Sequence, residues 1–203
     1  MDKNKYYIFG WIFLIIQILA ILRNYYSDYF YFFWFCDFIP AVFAVLFFLK
    51  KENWIKGIIN IGLIVQWIYL GIFFYRLYDH NLFFSFLPIS SVILFYDVTS
   101  IIIHLSTTIA LIALIKIKPT LKTLLYSGIC AILLFLMTLL FTSPDDGINY
   151  VYTAKNIVNF TIPYYTELWL FMLFLLVIIP TQGIQYLLYI FTRSRFRKHL
   201  KVR

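Results

Sequence analysis

Charge is scarce in this sequence. Asp, Glu, Lys and Arg make up 13% of its 203 residues, about half the roughly 25% typical of a soluble domain. A water-exposed globular surface cannot be built from so few charges. Cysteine is scarcer still, with Cys36 and Cys130 the only two. Both fall inside apolar runs, so neither reads as an extracellular disulfide partner. The three histidines and two cysteines are too dispersed for zinc-ligand spacing. There is no HExxH and no glycine-rich phosphate loop. No metal and no cofactor is therefore expected. Low-complexity linkers and internal repeats are also missing, which leaves one domain over residues 1–203.

What fills the chain is apolar: 63% hydrophobic residues, 22% of the total being Phe, Trp or Tyr. They collect into blocks long enough to cross a hydrocarbon core of about 30 Å as helices. Six spans are predicted: Tyr6–Leu22, Tyr29–Leu49, Ile58–Tyr75, Ser91–Ile115, Leu121–Thr142 and Tyr164–Phe191. The fold class expected is all-α, a six-span membrane protein with a polar interior cavity. Lys3 and Lys5 precede the first block, as in a leader peptide, but no small-x-small cleavage site follows. That block reads as a retained anchor.

The formal charge of +8 is distributed in a way that argues for topology and against nucleic acid. With six spans, 14 Lys and Arg residues fall on the side of the termini: Lys3, Lys5, Lys50, Lys51, Lys56, Lys116, Lys118, Lys122 and the six of the tail 192–203. Only Arg23, Arg76 and Lys155 fall on the other. Positive charge marks the cytoplasmic side, so a multi-pass protein with both termini cytoplasmic is expected. The basic tail then rests on anionic head groups, and membrane lipids are the expected partners. Tyr6, Tyr7, Trp11, Tyr25, Tyr26, Trp54, Tyr75, Tyr164, Tyr165 and Trp169 crowd the span ends, as an interfacial aromatic belt requires. Asn159-Phe160-Thr161 matches a glycosylation acceptor, close to a span start. The outer loop 143–163 opens on a turn composition and becomes amphipathic through Tyr150, Val151, Tyr152 and Ile157. It reads as a solvated connector or a cover over a cavity.

Polar groups inside a span are costly, and each is a site hypothesis. Here they are Gln17, Cys36, Asp37, Asn60, Gln66, Asp97, His104 and Cys130. Asp97, Ser100, His104 and Thr107/Thr108 recur every three or four residues, one face of a helix. Such a stripe must face the bundle interior, lining a cavity with Gln17 and Gln66 or forming a seam between helices. In the second span, Pro40 cannot donate to the carbonyl of Cys36, so a kink and a polar notch are expected at Cys36-Asp37. From span centres, at about 1.5 Å per residue, Cys36 lies about 4–5 Å outward of the midplane and His104 about 1–2 Å inward. A cysteine and a histidine in one cavity can form a nucleophile and its base, with Asp37 or Asp97 orienting the imidazole. The plain alternative for Cys36 is a small buried hydrophobe.

Three segments carry a family resemblance. They are "WFC" in the second span, "FYDVTSIIIHLSTTIALIALIKIKPTLKTLLYSGICAILLFLMTLLF" with its mid-span His104, and "GINYVY". Over about Phe33 to Pro180 the chain resembles the YwaF-like six-span integral membrane proteins. Their eukaryotic relatives include a phospholipid acyltransferase with a membrane-embedded cysteine. It is also similar in plan to the androgen-induced fatty-acid-ester hydrolases. The resemblance implies Cys36 as nucleophile and His104 as its histidine, in a lipid acyltransferase or lipid-ester hydrolase. Two other functions fit the residues: a small proton-coupled transporter using Asp37, Asp97 and His104, and a non-catalytic assembly or lipid-binding component.

Overall fold

The computed structural model describes residues 2–25, 33–79, 91–144, 148–152 and 164–200. Among them every regular element is helical. In chain order these are α1 (Lys3–Tyr25), α2 (Phe35–Phe48), α3 (Glu52–Asp79), α4 (Ser91–His104), α5 (Ser106–Leu114), α6 (Leu121–Phe141), α7 (Tyr165–Leu173) and α8 (Ile179–Leu200). Leu105 keeps helical dihedrals and bonds back to Ile101, so α4 and α5 form one rod. A π-turn, Phe174–Ile178, joins α7 to α8, with the Ile179 N–H bonded to the Phe174 carbonyl five residues back.

Five of these rods are long and apolar enough to cross a membrane: Lys3–Tyr25, Glu52–Tyr75, Phe95–Leu114, Leu121–Phe141 and Tyr165–Ser194. The chain thus has the helices of a multi-pass membrane protein. The second block differs from expectation. Its described helix has 14 residues and starts at Phe35, while residues 29–32 of the expected span 29–49 lie outside the described ones. The last helix also runs beyond the expected 191, into the basic tail.

α1 and α2 pack antiparallel through aromatic rings. Phe13 stacks on Phe47 at 5.3 Å and leans on Phe43 at 5.0 Å, and all three are fully buried. Lipid gives no hydrophobic drive for helix pairing, so such close contact has to hold the pair. α2 ends where Lys50 enters the left-handed region at φ 54°. Lys50 N–H then bonds Phe47 O and Lys51 N–H bonds Leu46 O. This is a Schellman turn with lysine where glycine is usual. It sends α3 back up the bundle, so Glu52 accepts from the Tyr6 hydroxyl at the N-terminal end of α1. α6 starts at a capping box of Thr120 and Thr123. It crosses α3 closely, where a Cβ on Gly57 would sit 3.0 Å from Ser127 N.

The chain's N-terminus, the α2–α3 turn and the start of α6 gather at one end of the bundle, here the basic end. The far end holds the close of α1, the start of α2 and residues 148–152. Tyr7, Trp11, Tyr25, Tyr75 and Tyr164 are exposed, as a belt requires, but Tyr6 and Trp169 are buried. Trp169 stacks on Phe135 at 5.7 Å and serves the core. The expected glycosylation acceptor, Asn159-Phe160-Thr161, lies outside the described residues.

Candidate functional site: a charge pair and a ring stack at the far end

Two residues counted as loop charges in the sequence are not in loops. Arg23 belongs to the last turn of α1 and Lys56 to the second turn of α3, exposed by 4% and 0% respectively. Both helices extend past their hydropathy limits, which moves the ends of the expected spans.

Arg23 is held by Asp37. Its guanidinium donates to the Asp37 carboxylate, which is itself only 2% exposed. Local structure favours this pair from both sides. Arg23 lies at a helix C-terminus and Asp37 at a helix N-terminus, where the backbone dipoles prefer those charges. Asn24 Oδ1 accepts from Arg23 Nε at 3.0 Å and from its terminal nitrogen at 2.9 Å. The ring of Tyr96 lies 5.4 Å from the guanidinium carbon, within cation–π range. The Asn24 side chain is thus turned onto both members of the charge pair.

The start of α2 is set from residues 148–152. Asn149, left-handed at φ 52°, accepts from Phe35 N–H at 2.8 Å. It donates to Phe33 O and to Thr138 Oγ1, each at 3.0 Å. One side chain thereby ties the entry of α2 to α6. Ile148 and Val151 beside it are buried, so this part of the loop packs as a cover. Cys36 follows in the first turn of α2. It is half-buried and free of any disulfide. Past Pro40, the N–H of Ala41 donates to Gln17 Oε1 at 2.9 Å, so α1 reaches α2 just beyond the expected notch.

The polar stripe of the fourth block does face inward. Ser100, His104 and Thr107 are buried. His104 lies flat on Tyr69, with ring centroids 3.6 Å apart and planes 7° from parallel. Its Nδ1 is 2.8 Å from Ser100 O. A carbonyl only accepts, so Nδ1 carries a hydrogen, and in a neutral ring Nε2 is the acceptor. Ser100 Oγ and the Tyr69 hydroxyl share a hydrogen bond of 3.1 Å. Tyr69 thereby ties α3 to α4, and Ser100 lies one helical turn from Tyr96, whose ring meets the Arg23–Asp37 pair.

Not all the expected partners meet. No hydrogen bond joins Cys36 to His104 among the described residues, and Asp37 orients Arg23, not the imidazole. Asp97 is half-buried and makes no hydrogen bond or ion pair among the described residues. Among the described residues no direct hydrogen bond links Asp37, Asp97 and His104. Gln66 accepts from Thr107 N–H at 3.2 Å and from Thr107 Oγ1 at 2.6 Å. With Gln17 on Ala41, these groups act as a helix seam. The described groove is elsewhere and apolar, about 510 Å³ between Leu63, Ile64, Trp67, Ile68, Thr108, Leu111 and Ile184. Cys130 packs among apolar neighbours.

Arg23, Asn24, Tyr69, Tyr96 and Asn149 were not singled out from sequence as site residues. Two signals were present: Arg23 is the one basic residue between the first two blocks, and Asn149 sits in "GINYVY". Comparison with protein-family models, with curated proteins and with solved structures finds no match for this chain. The resemblance to YwaF-like proteins therefore rests on the quoted segments alone.

Proposed function

We propose that this chain is a six-span membrane protein, both termini cytoplasmic, whose far-end cluster holds the polar part of a membrane lipid ester in the outer half of the bilayer. The sixth crossing is the block Tyr29–Leu49 expected from the sequence, of which α2 is the described helix. The observation that carries the reading is the Arg23–Asp37 pair, almost wholly out of water and flanked by Asn24 and the ring of Tyr96. A pair that only joined two helices is matched or bettered by apolar residues of similar volume. Intramembrane charges instead tend to mark sites of function. The test is to purify the full chain and identify co-purifying lipids by mass spectrometry. Enrichment of one lipid ester class over the bulk membrane, lost in the double variant Arg23→Leu/Asp37→Leu, is expected. A bulk-like composition in both proteins would sink the reading.

A second reading adds chemistry at the same cluster. Cys36 Sγ attacks the acyl carbon of the bound ester, its proton passes to His104 Nε2, and the alcohol leaves carrying that proton. The thioester then passes its acyl group to an acceptor alcohol or to water. Supporting it is a free thiol in the first turn of a helix, next in sequence to the buried Asp37. It needs a polar cavity or a water between Cys36 and His104. Acyl-mimicking probes should label Cys36, and labelling that survives both Cys36→Ala and His104→Ala rules the chemistry out.

A further inference from the structure

Lys56 is a buried cation with one neutral partner. It has no exposed surface, and its Nζ reaches Gln185 Oε1 at 3.3 Å. No carboxylate pairs with it within 4.0 Å among the described residues, so two of its three donors are unmatched. Around it the amides are saturated. Gln185 Nε2 donates to Lys56 O at 3.1 Å and to Asn60 Oδ1 at 2.6 Å. Asn60 Nδ2 donates to Ser127 Oγ at 3.0 Å and to Gln182 Oε1 at 2.8 Å. None of these oxygens can neutralise an ammonium. One turn along the same face of α8, Thr181 Oγ1 is buried and unpartnered. Glu52, one turn back on α3, attracts this charge from beyond ion-pair distance and is already engaged by Tyr6, so a buried ammonium here is held better when an anion joins it directly.

The same stripe of α3 continues as the apolar groove. Lys56, Asn60, Ile64 and Trp67 follow helical spacing, and Ile64 and Trp67 line the groove with Ile184, the neighbour of Gln185. At 1.5 Å per residue, Lys56 to Trp67 covers about 16 Å, about half of a 30 Å hydrocarbon core. A charged head and an apolar wall of one leaflet's depth have the shape of a single phospholipid. Lys118, over the ring of Tyr186 at 5.9 Å, adds a cation at this end.

We infer that Lys56, Gln182 and Gln185, with the groove of Ile64, Trp67 and Ile184, form a binding site for an anionic phospholipid at the basic end. The phosphate takes the ammonium and one acyl chain lies in the groove. Lys56 is covered, so occupancy turns its flexible stem from Gln185 toward the half-buried Gln182, with no backbone change required. This site is independent of the far-end cluster and of its proposed function.

The test uses the full chain in phosphatidylcholine nanodiscs, with phosphatidylglycerol titrated in and bound lipid counted by native mass spectrometry. Preferential retention of phosphatidylglycerol is expected, weakened about tenfold or more in Lys56→Met, the loss of a charge-assisted hydrogen bond. Ile184→Trp, a change at an exposed position, fills the groove and should weaken it also, which keeps the test valid if Lys56→Met does not fold. Equal retention of the two lipids, or phosphatidylglycerol binding unchanged in the variants, overturns the proposal. So does protection by inorganic phosphate in phosphatidylcholine discs as strong as that by phosphatidylglycerol, which marks a free-anion site.

Discussion

The guanidinium of Arg23, closing α1, donates to the carboxylate of Asp37, opening α2, and the two helices are antiparallel neighbours. Each charge is therefore buried against its partner and against a helix end of opposite sign. Removing either partner strands the other. Arg23→Gln or Asp37→Asn is expected to cost about 3–5 kcal/mol, the range for breaking a buried pair. Arg23→Leu/Asp37→Leu should recover much of that loss. Unfolding in detergent across the double-mutant cycle measures it, and strictly additive losses contradict the pairing.

Tyr69 contributes a ring face and a hydroxyl, and the two are separable. Tyr69→Phe keeps the stack on His104 and loses the bond to Ser100, a loss of about 0.6 kcal/mol for a membrane hydrogen bond. Tyr69→Leu also loses the stack, adding about 0.5–1.5 kcal/mol. Unfolding curves of the two variants should separate in that order.

Asn149 fixes where α2 begins, one residue before Cys36. Asn149→Gly keeps the left-handed backbone accessible but removes all three side-chain bonds. In a Cys130→Ser background it should raise the alkylation rate of Cys36 severalfold. An unchanged rate means that the entry of α2 is held by something else.

Gly62 lies between Phe35 and Thr107. A Cβ there would approach Phe35 Cε1 to 2.6 Å and Thr107 Cγ2 to 2.7 Å, whereas one on Gly128 meets nothing within 4 Å. Gly62→Ala is expected to destabilise by about 1–3 kcal/mol through overpacking. Gly128→Ala should stabilise by up to about 1 kcal/mol through helix propensity. Opposite signs for two chemically identical changes make the comparison decisive.

Periodicity revealed the parts of this site that lie within long spans. Ser100, His104 and Thr107 share a buried face because lipid cannot satisfy them, and helical spacing alone places them together. Hydropathy failed at the ends of spans. Arg23 and Lys56 border apolar blocks, and charge there normally marks the water boundary, so both were assigned to loops. Their burial depends on long-range partners, Asp37 for one and Gln185 for the other, which no local window contains. The entry of α2 was misplaced for a similar reason. Asn149 lies 114 residues from Phe35, and the run before Cys36 is as apolar as the run after it. Tyr69 was missed because a tyrosine in an apolar block looks like packing until its ring meets an imidazole.

The π-turn between α7 and α8 has a consequence for register. One additional residue in a helix rotates everything downstream by about 100° relative to an uninterrupted α-helix. Trp169 upstream and Ile178, Thr181 and Gln185 downstream are all buried, and the surplus residue between them sets their relative bearing. Deleting a single residue between Phe174 and Ile178 would leave the composition and hydropathy of this helix almost unchanged. It would nevertheless swing Gln185 off Lys56 and turn polar amides toward lipid. The length of that short segment, to the residue, is a constraint on this chain that its hydrophobicity does not express.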